Sequence, residues 1–140
     1  MIVDGENLLL GRIGAVVAKK ALEGEEIFVV NCEKVMISGA KVKTIQDNLK
    51  RLGFGSPRWG PFIPRQAFRY VKRAFRGMLP YKVERGKEAF ARIICYNKVP
   101  KEFQDKEFDK IPNASVNKLS VNKYVAVGEI CERLGGKQWK

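Results

Sequence analysis

Apolar positions along this chain alternate between stripes at helical spacing and short unbroken runs, and the order of the two is informative. Met1, Ile2 and Val3 form a short apolar run that stops at the turn signal Asp4-Gly5. Leu10, Ile13, Val17 and Ala21 then fall on one helical stripe, with Arg12, Lys19 and Glu23 on the other side and Gly24 placed as a left-handed cap. Ile27-Phe28-Val29-Val30 is β-branched and aromatic, too short for a helix and apolar on both faces, which is the pattern of a strand inside a parallel sheet. Strand, helix and strand make a βαβ unit.

Val35-Met36-Ile37 is a weaker apolar run, read as a strand end, and Ser38 follows as a helix-start residue. Val42, Ile45, Leu49 and Leu52 line one face of the next helix, which Gly53 ends. Residues 54–64 hold three prolines and two glycines, which excludes regular structure, yet they are rich in aromatics. Residues 65–76 form a helix stopped by Gly77-Met78-Leu79-Pro80, a helical pattern runs on through Ala89 and Phe90, and Arg92-Ile93-Ile94-Cys95-Tyr96 reads as a buried strand. Periodicity fades over residues 97–123, which leaves an extended arm anchored by Phe103, Phe108 and Ile111. Val127, Ile130, Cys131 and Leu134 restore helical spacing, in a helix over about residues 124–134 that Gly135-Gly136 caps. The expectation is a single α/β domain over residues 1–140.

Composition supports that reading, because 45% hydrophobic residues in a 140-residue chain suffice for a core without staples. The complete absence of histidine removes Ser-His-Asp and Cys-His catalysis and the imidazole proton shuttle. Cys32, Cys95 and Cys131 lie too far apart in sequence for a zinc ribbon or redox dithiol, and they read as reduced core side chains. No catalytic group, metal or cofactor is expected. The opening residues do not resemble a signal peptide and no run reaches membrane-spanning length, so the expected setting is the cytosol. Asn113-Ala114-Ser115 then matches a glycosylation sequon by chance.

The net charge of +12 points to a polyanion, and its distribution says where. Residues 50–92 carry twelve basic and two acidic side chains, whereas the other 97 residues carry fifteen and thirteen. Within that module Arg65, Arg69, Lys72 and Arg76 fall within roughly 60° on the helix, with Arg73 beside them and Phe68, Val71 and Phe75 on a separate face. Like charges so placed repel, and the ridge gains by facing anions. Eight of the twelve basic residues are arginines, whose planar forks suit phosphates and stack on bases. A solvated face or an anionic membrane surface are the alternatives to RNA or DNA, and the candidate nucleic-acid-binding residues are Lys50, Arg51, Arg58, Trp59, Arg65, Arg69, Lys72, Arg73, Arg76, Lys82, Arg85 and Lys87. Trp59, Phe62 and Tyr70 lie among these charges. Phe62 is expected to pin the proline-rich loop, while Trp59 suits pinning and base stacking equally.

One rival chemistry starts from Gly11-Arg12-Ile13-Gly14, which opens a helix after a strand as phosphate-seating glycine turns do. It would make the chain a small nucleotide- or phosphate-using enzyme. The three-glycine fingerprint is incomplete and no P-loop lysine motif occurs, so close packing of Gly14 against a strand is the expected role. A free-standing RNA chaperone would share the basic face.

Arg76-Gly77-Met78-Leu79-Pro80, followed by Arg85-Gly86 and Ile93-Ile94-Cys95-Tyr96, resembles the signature of the large-subunit ribosomal protein L-thirteen family. Leu10-Gly11-Arg12-Ile13 after Val3-Asp4, and Val30-Asn31-Cys32-Glu33-Lys34 leading to Ile37-Ser38-Gly39, are similar to that family's amino-terminal blocks in the same order. The blocks span residues 1 to about 103. The short link Glu23-Gly24-Glu25-Glu26 and the long carboxyl arm place the resemblance nearest the archaeal and eukaryotic branch, and the loop over residues 59–66 departs from its common pattern. The resemblance implies a three-layer α/β/α fold around a four-stranded, mainly parallel sheet. It further implies a non-enzymatic constituent of the archaeal large ribosomal subunit, bound to 23S rRNA beside neighbouring ribosomal proteins and supporting assembly, with no membrane or small-molecule partner. Gly77, Met78, Leu79 and Pro80 are then architecture, flanked by phosphate contacts at Arg76 and Lys82.

Overall fold

The computed structural model of the chain describes residues 1–56, 58–60 and 62–136. Its elements run β1 (Ile2–Asp4), α1 (Leu10–Glu23), β2 (Ile27–Val30), β3 (Met36–Ser38), α2 (Lys41–Leu52), α3 (Ala67–Gly77), α4 (Glu84–Ala91), β4 (Ile93–Cys95), β5 (Tyr124–Ala126) and α5 (Val127–Arg133). Short 3₁₀ turns stand at Cys32–Lys34, Lys101–Phe103 and Val116–Lys118.

The fold is α/β, and β1, β2 and β4 pair in parallel in the order β1-β2-β4. Their register puts Val3, Val29 and Cys95 in one row and Ile27 beside Ile93, all buried on the face that the helices cover. The opposite face carries Ile2, Phe28 and Ile94; there the Phe103 ring of the arm lies 5.0 Å from that of Phe28, and Ile94 keeps 39% exposure.

The parallel sheet has three strands where four were expected. The run at Met36 pairs antiparallel with β5 in a separate ribbon, Met36 opposite Ala126. The final helix accordingly begins at Val127, since residues 124–126 alternate in burial with the period of a strand. Beside β1 the arm contributes one parallel bridge, Val3 to Asp109. Asp109 donates its N–H to the Ile2 carbonyl at 2.7 Å, and its side-chain Oδ2 accepts the Ile2 N–H at 2.9 Å. A carboxylate takes the place of the next backbone acceptor, and the ladder ends after one residue.

Leu10, Ile13, Val17 and Ala21 are buried, and Gly24 closes α1 with φ at 103°. Ser38 belongs to β3, not to a helix start, and α2 begins three residues later. The inner stripe of α2 is Ile45, Asn48 and Leu52; Val42 and Leu49 are exposed. The exchange is explained by Asn48, which is buried because the Tyr70 hydroxyl reaches its Oδ1 at 2.9 Å and its own Nδ2 donates to the Thr44 carbonyl at 2.8 Å.

α3 starts at Ala67, two residues beyond the expected boundary, and Asn97 Oδ1 accepts the Phe68 N–H at 2.9 Å. An unpaired amide of the first turn is thereby satisfied from across the fold. Val71 and Phe75 sit fully buried beneath the helix. Gly14 packs against α3 and its exit, where a Cβ would strike the Met78 sulfur and lie 3.2 Å from Phe75, so its partner is a helix and not the expected strand. The arm lies over the core and is not wholly extended, given its 3₁₀ turns. It buries Phe103, Ile111, Ala114 and Val116, and Ala114 accepts the Leu9 N–H at 2.8 Å. Cys32, Cys95 and Cys131 are free and buried.

Candidate nucleic-acid interface

Two buried side chains of α3, Val71 and Phe75, fix which way its charges point. Arg69 and Arg73 are exposed and Lys72 and Arg76 half-buried, with exposed Arg65 just before the helix. Among the described residues no ion pair involves Lys50, Arg51, Arg58, Arg65, Arg69, Lys72, Arg73, Arg76, Lys82 or Arg85. Lys87 pairs with Glu84 at 3.4 Å. The supports that do hold the ridge are aromatic: Lys72 Nζ stands 4.9 Å from the Phe90 ring centre, the Arg76 guanidinium 5.0 Å from Tyr81 and that of Arg69 5.7 Å from Phe68. Such contacts orient a cation, each contributing about 0.5–1 kcal/mol at exposed positions, without cancelling its charge. The ridge stays positive toward solvent.

Three adjoining grooves show which candidates the fold brings together. One of about 550 Å³ joins Arg69, Lys72, Arg73 and Arg76 with Phe62, Pro64 and Phe90. A larger one of about 960 Å³ runs past the same Phe62, Pro64 and Arg69 to Arg65, Gln66 and Phe54. A third joins Arg51 of α2 to Arg73. Lys50 is exposed next to Arg51, while Arg58 and Trp59 occupy the tip of the proline-rich loop. Lys82, Arg85 and Lys87 are exposed around the start of α4 and line none of these grooves.

Aromatic roles differ from expectation. The Phe62 ring is 71% exposed and lies against Gly60 of its own loop, not in the core. The loop is held instead by its backbone, through Arg73 Nη1 to the Phe62 carbonyl at 2.7 Å, and by Ile63 against the cluster of Val125, Ile130 and Leu134. Trp59 is 86% exposed, so it too leaves the loop unpinned. Tyr70 is committed to Asn48, and burial pushes its phenol pKa up. Two residues not singled out from sequence also belong here. Phe54 is 57% exposed, and Gln66 has a buried Oε1 with no donor among the described residues. The aromatic content of the loop signalled Phe54, while nothing in the pattern around Gln66 marked it.

The glycine turn of α1 offers phosphate little access. Gly14 is filled by Met78, and the arm crosses the helix start, where Asn113 accepts from Arg12 Nη1 at 2.9 Å. Among the described residues no three His, Cys, Asp or Glu side chains are grouped to hold a metal ion, and no helix is long and apolar enough to cross a membrane.

The fold and site together are an α/β core with one arginine-rich face, unpaired by acids among the described residues, alongside exposed aromatics, and that is the electrostatic footprint by which nucleic-acid-binding proteins are recognised. Comparison with known proteins makes this specific: residues 1–102 match the family Ribosomal protein L13, and the chain belongs to that family. It is 43% identical over 136 residues to the large ribosomal subunit protein uL13 of Methanococcoides burtonii, covering 97% of this chain and 98% of that one. The proteins of the same name from Methanosarcina barkeri and Archaeoglobus fulgidus are 41% and 40% identical, with 97% and 96% of this chain matched, and 98% and 86% of theirs.

Proposed function

We propose that the chain is a structural, non-enzymatic constituent of the archaeal large ribosomal subunit, and that it binds the subunit's ribosomal RNA through the face built on α3. The family and its relatives' names support the first part. The observation that supports the second is the ridge of Arg69, Lys72, Arg73 and Arg76 with Arg65 just before it, without acidic partners among the described residues, on a helix whose other side is core. Lys50 and Arg51 extend this surface on one side, and Arg58, Lys82, Arg85 and Lys87 complete it. The RNA is the 23S species, its neighbours are other large-subunit proteins, and the setting is the cytoplasmic ribosome. The arm over residues 97–123 lays Phe103 on the outer sheet face.

The basic side chains neutralise phosphates and release counterions, while RNA shape sets the register. With about six phosphates engaged, affinity for large-subunit RNA falls by roughly three decades between 50 and 200 mM salt. Filter binding across that range tests the reading, and an affinity indifferent to salt refutes it.

A further inference from the structure

Phe54, Trp59 and Phe62 keep 57%, 86% and 71% of their surface in water. They stand within nine residues of sequence on a loop whose neighbours are Arg51, Arg58, Arg65, Arg69 and Arg73. Exposed apolar residues scattered singly need no explanation, but three rings gathered on one segment mark an interaction surface. A duplex backbone calls for cations and small polar donors. It has no use for large flat rings, because paired bases offer their faces only to one another.

From this we infer that the loop and the groove behind it take unpaired nucleotides, with Phe54, Trp59 and Phe62 stacking on bases and Arg65 and Arg69 holding the flanking phosphates. The inference deepens the RNA-binding reading above and rests on it. The groove joining Phe54, Phe62, Arg65, Gln66 and Arg69 has a volume of about 960 Å³, at the upper end of what small-ligand sites need, roughly 300–1,000 Å³. Two of its liners, Phe54 and Phe62, are stacking surfaces, and two, Arg65 and Arg69, are cations that form no ion pair among the described residues. Gln66, a fifth, brings an amide side chain to the groove, a group suited to a base edge or a ribose hydroxyl. Phe62 and Arg69 also line the groove along Lys72, Arg73 and Arg76. A strand leaving the aromatic loop therefore meets the cationic ridge directly. Charge alone would admit an acidic peptide as well, but the aromatic faces favour bases, whose stacking on them is tolerant of sequence.

The test compares two RNAs with equal numbers of phosphates, a single-stranded oligonucleotide and a blunt duplex, binding the full chain by fluorescence anisotropy at fixed salt. Phe62→Ala and Trp59→Ala are each expected to weaken single-strand binding about five- to 150-fold while changing duplex binding less than twofold. Because both rings are exposed, the far-ultraviolet circular dichroism should match that of the parent protein. A 2-aminopurine placed in the single strand should be quenched by the parent protein and not by the double variant. Equal losses on both RNAs, or no loss on the single strand, overturn the inference and leave the basic-face reading standing. If the parent chain binds neither RNA in a salt-dependent way, the basic-face reading fails first. Displacement of the single strand by polyglutamate as readily as by RNA assigns the groove to an acidic protein and also overturns the inference.

Discussion

The Tyr70 hydroxyl donates to Asn48 Oδ1 at 2.9 Å, and that bond ties α3 to α2. Asn48 is 8% exposed, so little of it meets water. Tyr70→Phe leaves a buried acceptor unpaired and should cost about 1–3 kcal/mol in urea denaturation. Adding Asn48→Leu removes the orphaned acceptor and should recover most of that loss, because replacing both partners by apolar groups is close to neutral. If the double variant is no more stable than Tyr70→Phe, the hydrogen bond is not what places Asn48 in the core.

Gly11, Gly14 and Gly86 differ in what surrounds them, and their substitutions should rank accordingly. At Gly86 a Cβ would run into the backbone carbonyl of Pro80, which cannot move without shifting the turn into α4. At Gly14 the obstacle is mainly the end of the flexible Met78 side chain, and at Gly11 nothing lies within 4 Å. Gly86→Ala should cost about 1–3 kcal/mol and Gly14→Ala less. Gly11→Ala should be neutral or stabilising by up to about 1 kcal/mol. Combining Gly14→Ala with Met78→Ala should remove most of the Gly14 penalty. Thermal melts of the four proteins check the order, and a Gly86 variant as stable as the parent contradicts it.

Arg69 and Arg92 both lie in the basic module but do different work. Arg69 projects from the ridge, whereas Arg92 donates to the Ala21 carbonyl near the end of α1 at 3.3 Å and pairs with Glu88 at 3.4 Å. Arg69→Ala should lower the slope of log affinity against log salt by about one and leave the melting temperature unchanged. Arg92→Ala should do the reverse, costing about 1 kcal/mol, or about 3 °C, with the slope intact. A melting transition lowered by Arg69→Ala shows instead that the ridge takes part in the fold.

The elements that sequence made legible are those whose burial follows a single period. Leu10, Ile13, Val17 and Ala21 mark α1 because one face of that helix is core, and β2 stands out because three of its four residues are fully buried. β3 and β5 were harder, since each is three residues long and neither pattern reveals that Met36 lies opposite Ala126, ninety residues away. The α2 stripe misled because a polar residue, Asn48, occupies a core position through a bond to a side chain on another helix. At the interface, counting charge located α3 and its ridge, because like charge on one helix face is a local property. The pinning of the proline-rich loop was not local: it depends on Arg73 finding the Phe62 carbonyl, and that contact frees the ring that sequence had expected to do the holding.

The alkaline limb of stability follows from buried acids. Burial pushes the Cys131 thiol up to about 11 from an ordinary value of 9.0. The neighbouring Cys95 thiol, and then burial, raise the Cys32 thiol as well, and burial raises Tyr70. A group whose folded pKa lies above its unfolded value keeps its proton in the folded state while the unfolded chain releases it. The unfolded state therefore binds fewer protons between the two values, and stability falls as pH rises through that window. Below it these groups contribute no slope, and with no histidine in the chain no side chain titrates at its ordinary value between pH 5 and 8. The melting temperature should thus stay level across neutral pH and decline from about pH 9 toward 11. Cys131→Ala, which removes one of these groups, should make the decline shallower over that window. Melting curves at matched ionic strength check this, and an unchanged alkaline slope in the variant would show that the Cys131 thiol keeps an ordinary pKa in the folded protein.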